Sequence, residues 1–155
     1  NLTQLQTLSI LGNNMTGVIP DELFNLEDLE TLYLYNSQLS GTIPANISIL
    51  EDLTTLNLSS NNLSGEIPAN IVLLNDMESI NLSNNLLTGN IPADLFLNTS
   101  LRSIYLYDNN LSGDIPDTIC DYISDPHNTI NIEDNNFCTY IPDCFTTLIG
   151  DQNCE

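Results

Sequence analysis

The dipeptide Ile-Pro recurs at Ile19-Pro20, Ile43-Pro44, Ile67-Pro68, Ile91-Pro92 and Ile115-Pro116, in steps of 24 residues, and again at Ile141-Pro142 after a step of 26. A fixed period of this length marks a chain of stacked supersecondary units, each too small to bury its own apolar face without its neighbours. Other columns keep the same step: Leu8, Leu32, Leu56, Ile80, Ile104; then Ile10, Leu34, Leu58, Leu82, Leu106; then Gly17, Gly41, Gly65, Gly89, Gly113. The chain therefore divides into five 24-residue repeats over 1–119 and a closing repeat with its cap over 120–155.

Each column has a physical task. Two apolar residues around one variable residue, as in Leu56-Asn57-Leu58, give the alternation of a short strand whose apolar side chains point inward. Asn13, Asn61, Asn85, Asn109 and Asn135 follow at a fixed offset, where a buried amide bonds the backbone of its own turn and of the next coil. Ser37 stands in that column in the second repeat, so the ladder is expected to weaken there. Glycine then permits a backbone conformation other residues resist, and proline withholds a donor and ends the segment.

The stretch from Leu53 to Pro68, with its Leu63-Ser64-Gly65-Glu66-Ile67-Pro68 ending, resembles the plant-type leucine-rich repeat, and the likeness runs from residue 1 to about 145. The resemblance implies an α/β-type repeat solenoid, a right-handed coil with a parallel β-sheet on its concave face. A second short strand is implied near Ser-Gly-x-Ile-Pro, and short helical turns on the convex face. Similar repeats occur in receptor-kinase ectodomains, in inhibitors of secreted pectin-degrading enzymes and in a plant antifreeze protein. Members usually begin with a cysteine-bearing cap, whereas here Leu2 is already the first leucine of a repeat. The first coil is thus expected to be open and the first to fray.

Cys120, Cys138, Cys144 and Cys154 are confined to the final segment, an even, clustered set that reads as two disulfides closing one end in an oxidising compartment. Proximity in sequence pairs Cys120 with Cys138 and Cys144 with Cys154, among the three connectivities open to four cysteines. Tyr122 to Thr129 carries the two-residue insertion, after which Ile130, Ile132, Asn135, Phe137 and Ile141 restore the pattern.

Acidic residues number 21 against one basic residue, Arg102, and the formal net charge is −20. Such a surface repels phosphate backbones and anionic headgroups, so neither nucleic acid nor direct membrane insertion is expected. The apolar runs are far shorter than a bilayer span. No signal peptide opens the chain, so a secreted protein would be represented by its mature form or an excised piece.

Because strand side chains alternate, the concave surface is legible column by column. Gln6, Glu30, Thr54, Glu78, Arg102 and Asn128 come first, and Arg102 is expected to pair with Glu78. The next column, Thr7, Thr31, Thr55, Ser79, Ser103 and Thr129, is a hydroxyl ladder that suits an exposed strand or ordered water. Ser9, Tyr33, Asn57, Asn81, Tyr105 and Asn131 follow, then Leu11, Tyr35, Ser59, Ser83, Tyr107 and Glu133. Tyr33 with Tyr35, and Tyr105 with Tyr107, are candidate binding anchors, since tyrosine buries large area while keeping its hydroxyl wet. Arg102 and Asp108 complete the candidate binding set. Asp108, Glu133 and Asp134 form a weak calcium candidate without a ligand loop of known spacing.

Catalysis has little support: no serine has a histidine in register, and the lone His127 lies in the insertion. No cofactor is expected. Eight Asn-x-Ser/Thr sequons occur, at Asn1, Asn14, Asn46, Asn57, Asn62, Asn81, Asn98 and Asn110, and Asn98, standing where earlier repeats have leucine, is expected to be exposed on the convex side. The expected function is secreted or cell-surface recognition of an extracellular protein, peptide or glycan. The alternatives are a structural glycoprotein that stacks with copies of itself and, more remotely, an ice-binding protein.

Overall fold

The computed structural model describes residues 2–12 and 14–154. Among the described residues eleven short strands form two parallel sheets. Strands β1 (Thr7–Ser9), β3 (Thr31–Tyr33), β5 (Thr55–Asn57), β7 (Ser79–Asn81), β9 (Ser103–Tyr105) and β11 (Thr129–Asn131) line one face in that order. Strands β2 (Thr16–Gly17), β4 (Gln38–Gly41), β6 (Asn62–Glu66), β8 (Leu86–Gly89) and β10 (Asn110–Leu111) make the second sheet. Register follows the repeat, with Leu8 opposite Leu32, Leu32 opposite Leu56, Leu56 opposite Ile80 and Ile80 opposite Ile104.

The other side of each coil is a 3-10 turn, at Asp21–Asn25, Ala45–Ile49, Ala69–Leu73 and Ala93–Leu97, and an α-helix, α1 (Ile119–Ser124), in the last. The repeated proline sets up these turns. Pro20, Pro44 and Pro68 are extended, with φ between −76° and −63°, and their carbonyls accept from Leu23, Ile47 and Ile71 at 3.0–3.1 Å. Proline thus fixes the entry angle of the turn and supplies its first acceptor.

Leu29, Leu32, Leu53, Leu56, Leu58, Leu63 and Leu74 lose all solvent exposure, and each such leucine contributes about 1.5–3 kcal/mol relative to an exposed one. Leu8 and Ile10, packed on one coil only, are only partly buried. The leucine-rich-repeat solenoid implied by the repeat is what the chain forms.

Asparagine ties the coils together. Asn61 donates through Nδ2 to the carbonyls of Leu34, Leu58 and Ser59 and accepts from the Leu39 amide through Oδ1. Asn85, Asn109 and Asn135 repeat this set one coil further on each time. At Ser37 the chain is broken as expected: its hydroxyl is buried with no hydrogen-bond partner. Asn13 lies outside the described residues.

One column carries a requirement that the repeat pattern did not reveal. Gly12, Asn36, Ser60, Asn84, Asp108 and Asp134 all have φ between 52° and 60°, the left-handed region that glycine, asparagine and aspartate enter most readily. The chain leaves every concave strand through this bend. Gly65 serves a different need: besides its φ of 76°, a Cβ there would lie 2.9 Å from the Thr42 methyl of the preceding coil.

The disulfides join Cys120 to Cys144 and Cys138 to Cys154, which corrects the pairing inferred from proximity. In a solenoid the nearest neighbour in space is one coil away, and Cys120 and Cys144 are separated by 24 residues, the length of a repeat. Their Cα atoms stand 5.8 Å apart, an ordinary distance for a bridge.

Candidate functional site

The concave sheet presents the tyrosines where alternation placed them. Tyr33, Tyr35, Tyr105 and Tyr107 are each half-buried, between the fully or almost fully buried Leu32, Leu34, Ile104 and Leu106. The rings of Tyr33 and Tyr35 meet edge to face, with centroids 6.2 Å apart and planes at 77°. Tyr105 follows Tyr33 three strands along the sheet, about 14 Å away at ordinary strand spacing. Asn57 and Asn81 fill the interval.

Between the tyrosine pairs the outer column turns inward. Ser59 and Ser83 are buried, not solvent-facing as alternation suggested. Each serine amide and hydroxyl donates to the Oδ1 of the asparagine two residues earlier, Asn57 or Asn81, with the hydroxyl at 2.7 Å. This Asx-type turn pulls the chain off the strand line. The middle of the concave face is therefore a floor of small polar groups between two aromatic shoulders.

Arg102 does not pair with Glu78 by its side chain. Its Nη1 donates instead to Asn128 Oδ1 at 3.1 Å and lies 3.4 Å from Asp125 Oδ2, because the two-residue insertion carries Asp125 to its side. His127 Nδ1 reaches the same carboxylate at 2.9 Å. The His127 amide and ring, which hydrogen-bond Asp125, hold its carboxyl below the usual aspartate range. Arg102, Asp125 and Asn128 rim a cleft of about 440 Å³ floored by Phe96 and Tyr122, whose rings are 5.9 Å apart. Burial pushes the Tyr122 phenol up, and its hydroxyl donates to the Thr129 carbonyl at 3.1 Å.

Arg102 lies just before β9 along the chain and Asp108 three residues after it. The calcium candidate does not assemble: among the described residues no three carboxylate, histidine or cysteine groups are placed to share a metal ion. Asp108 and Asp134 are explained by the left-handed bend they occupy. Glu30, Asp52, Asp76 and Glu78 line a shallow groove beside the sheet, with Thr54 and Ser100 between them. Sequence reading also missed a row of exposed aliphatic side chains, Ile49, Leu73 and Leu97, one at the end of each successive 3-10 turn. Their spacing of 24 was available as a signal. Asn98 is half-buried, not exposed, since its Nδ2 donates to the Leu74 carbonyl of the preceding coil at 2.8 Å. No helix among the described residues is long and apolar enough to cross a membrane.

Family models described as leucine rich repeat match residues 3–63, and 76–97 with 100–122. No curated protein matches the sequence. Among solved structures, a plant ice-binding protein is 33% identical with a TM-score of 0.73, over 88% of this chain and 42% of its own. The BIR2 ectodomain from Arabidopsis thaliana is 34% identical with a TM-score of 0.72, over 79% of this chain and 62% of its own. The Arabidopsis receptor kinase HAESA, in complex with the peptide hormone IDA and the co-receptor SERK1, is 29% identical with a TM-score of 0.86, over 99% and 26%. This chain spans less than two thirds of each. With family models on the first five coils and this coil-by-coil geometry, the chain belongs to the leucine-rich-repeat proteins.

Proposed function

We propose that this chain is an extracellular recognition module that binds a peptide or protein segment along its concave sheet, without catalysis. The observation that carries the reading is the arrangement of that sheet, where Tyr33 with Tyr35 and Tyr105 with Tyr107 stand as two aromatic shoulders about a floor of Asn57 and Asn81. An extended segment of four or five residues spans the ~14 Å between them at ~3.3 Å per residue. It meets rigid aromatic area at each end and amides between. Solved neighbours support the class of ligand, since HAESA was crystallised with a peptide hormone and RGFR1, a plant peptide hormone receptor, with RGF2. The two disulfides fit an oxidising, extracellular setting. The test is capture of ligand from the extracellular fluid of the source, comparing the native chain with the Tyr105→Ala/Tyr107→Ala double variant. Retained binding by a folded variant sinks the proposal.

A second reading has one observation in its favour, the likeness to a plant ice-binding protein. Its site would be the ladder Thr7, Thr31, Thr55, Ser79, Ser103 and Thr129, which the sheet holds in register. Serine at two rungs and the neighbouring tyrosines weigh against it. Measuring inhibition of ice recrystallisation by the native chain and by Thr31→Leu decides this reading: no inhibition by the native chain ends it.

A further inference from the structure

The folded coil divides the described sequons into two sets. Asn57 and Asn81 are half-buried on the concave sheet, with Oδ1 held by the serine of their own sequon. Asn98 has its Nδ2, the atom that would carry a sugar, turned inward on the Leu74 carbonyl. By contrast Asn14, Asn46, Asn62 and Asn110 are exposed. Asn62 opens β6 and Asn110 opens β10, while Asn14 precedes β2 by two residues and holds the same repeat position. The three therefore stand on every second coil along one flank, about 10 Å apart at ordinary strand spacing. Asn46 lies in the 3-10 turn Ala45–Ile49 on the convex side.

We propose that Asn46, Asn62 and Asn110, with Asn14 extending the row, carry N-linked glycans, and that Asn57, Asn81 and Asn98 stay bare. This inference rests on the extracellular location proposed above. The donor is a lipid diphosphate-linked oligosaccharide: a bond forms from the asparagine Nδ2 to the sugar C1 and the C1–O bond to the diphosphate breaks. One amide proton is lost, and the lipid diphosphate leaves. Identical Asn-Leu-Ser tripeptides at 57, 62, 81 and 110 mean that local sequence does not discriminate among these sites. The fold does. A sugar on Asn62 or Asn110 projects into solvent beside the second sheet, whereas one on Asn98 must displace an intercoil hydrogen bond, and one on Asn57 or Asn81 must stand between the tyrosine shoulders. Sugars thus cover the second-sheet flank and convex turn and leave the concave sheet open to a partner.

The experiment is peptide mapping of the protein isolated from its source, after an amidase that converts each occupied asparagine to aspartate. Conversion of Asn46, Asn62 and Asn110, with Asn57, Asn81 and Asn98 unconverted, is the expected result. Unconverted Asn62 and Asn110, or substantial conversion at Asn57, Asn81 or Asn98, overturns the proposal. The Asn62→Gln/Asn110→Gln variant, secreted by the same source, should lose the mass of two glycans, and an unchanged mass is equally fatal. Ligand capture by unglycosylated protein reads the concave site separately, so failure of the glycan row and failure of the recognition reading are distinguishable.

Discussion

The Nδ2 of Asn61 lies 2.7 Å from the carbonyl oxygen of Leu34, in the preceding coil, and this one contact shows how the solenoid is fastened. The same amide satisfies Leu58 and Ser59 in its own turn and accepts from Leu39. A single buried side chain thereby pairs backbone groups that water cannot reach.

The break at Ser37 gives a prediction with two arms. Ser37→Asn should stabilise the chain by about 1 kcal/mol through an added buried hydrogen-bond set, and Ser37→Ala should cost almost nothing, because the hydroxyl it removes is unpaired. Asn85→Ala should cost ~3 kcal/mol by stranding the groups it now pairs. Urea unfolding of the three variants is the check, and a costly Ser37→Ala would show that the hydroxyl has a partner.

Ser60 is the one residue in the left-handed column that is neither glycine, asparagine nor aspartate. Ser60→Asn should therefore raise stability by roughly 0.5–1 kcal/mol, the part of the left-handed penalty that asparagine avoids. Gly65→Ala should go the other way by ~1–2 kcal/mol, since alanine resists that φ and its methyl meets Thr42. Thermal melts of both variants test the assignment.

Bridge connectivity is checked by digestion without reduction. A fragment joining the peptides of Cys120 and Cys144 is expected, and one joining Cys120 to Cys138 contradicts the coil-to-coil arrangement. Replacing Cys120 and Cys144 together by alanine should destabilise the chain by ~2–4 kcal/mol, within the usual range for a native bridge.

Both ion pairs among the described residues converge on Asp125, which leaves the other described carboxylates without a cationic partner on a chain of net charge −20. Their mutual repulsion should make stability rise with added salt, by about 1 kcal/mol between low and 0.5 M ionic strength. Asp125 carries a pH dependence: its folded pKa is depressed, so its contribution is complete above the ordinary carboxylate range and is lost as pH falls through the depressed value. Melting temperature should thus fall as pH drops through that depressed value, and Asp125→Asn should blunt this acid limb.

Sequence alone determined the coil, because a 24-residue period in leucine, asparagine, glycine and proline leaves stacked parallel strands as the way to bury the recurring strand leucines and pair the backbone amides beside them. It also placed Tyr33, Tyr35, Tyr105 and Tyr107 on the concave sheet, since strand alternation is a local property, and it located the defect at Ser37 by comparing columns. Tertiary structure decided whatever depends on distance between coils. Cys120 found Cys144 because one repeat separates them in sequence and one coil in space. Arg102 turned from Glu78 to Asp125 because the insertion moved a carboxylate beside it. Asn98 was claimed by the Leu74 carbonyl, and Ser59 and Ser83 were drawn inward by their asparagines. A repeat pattern fixes which residues share a column. Where a side chain points within it depends on partners that only the folded coil brings within hydrogen-bonding reach.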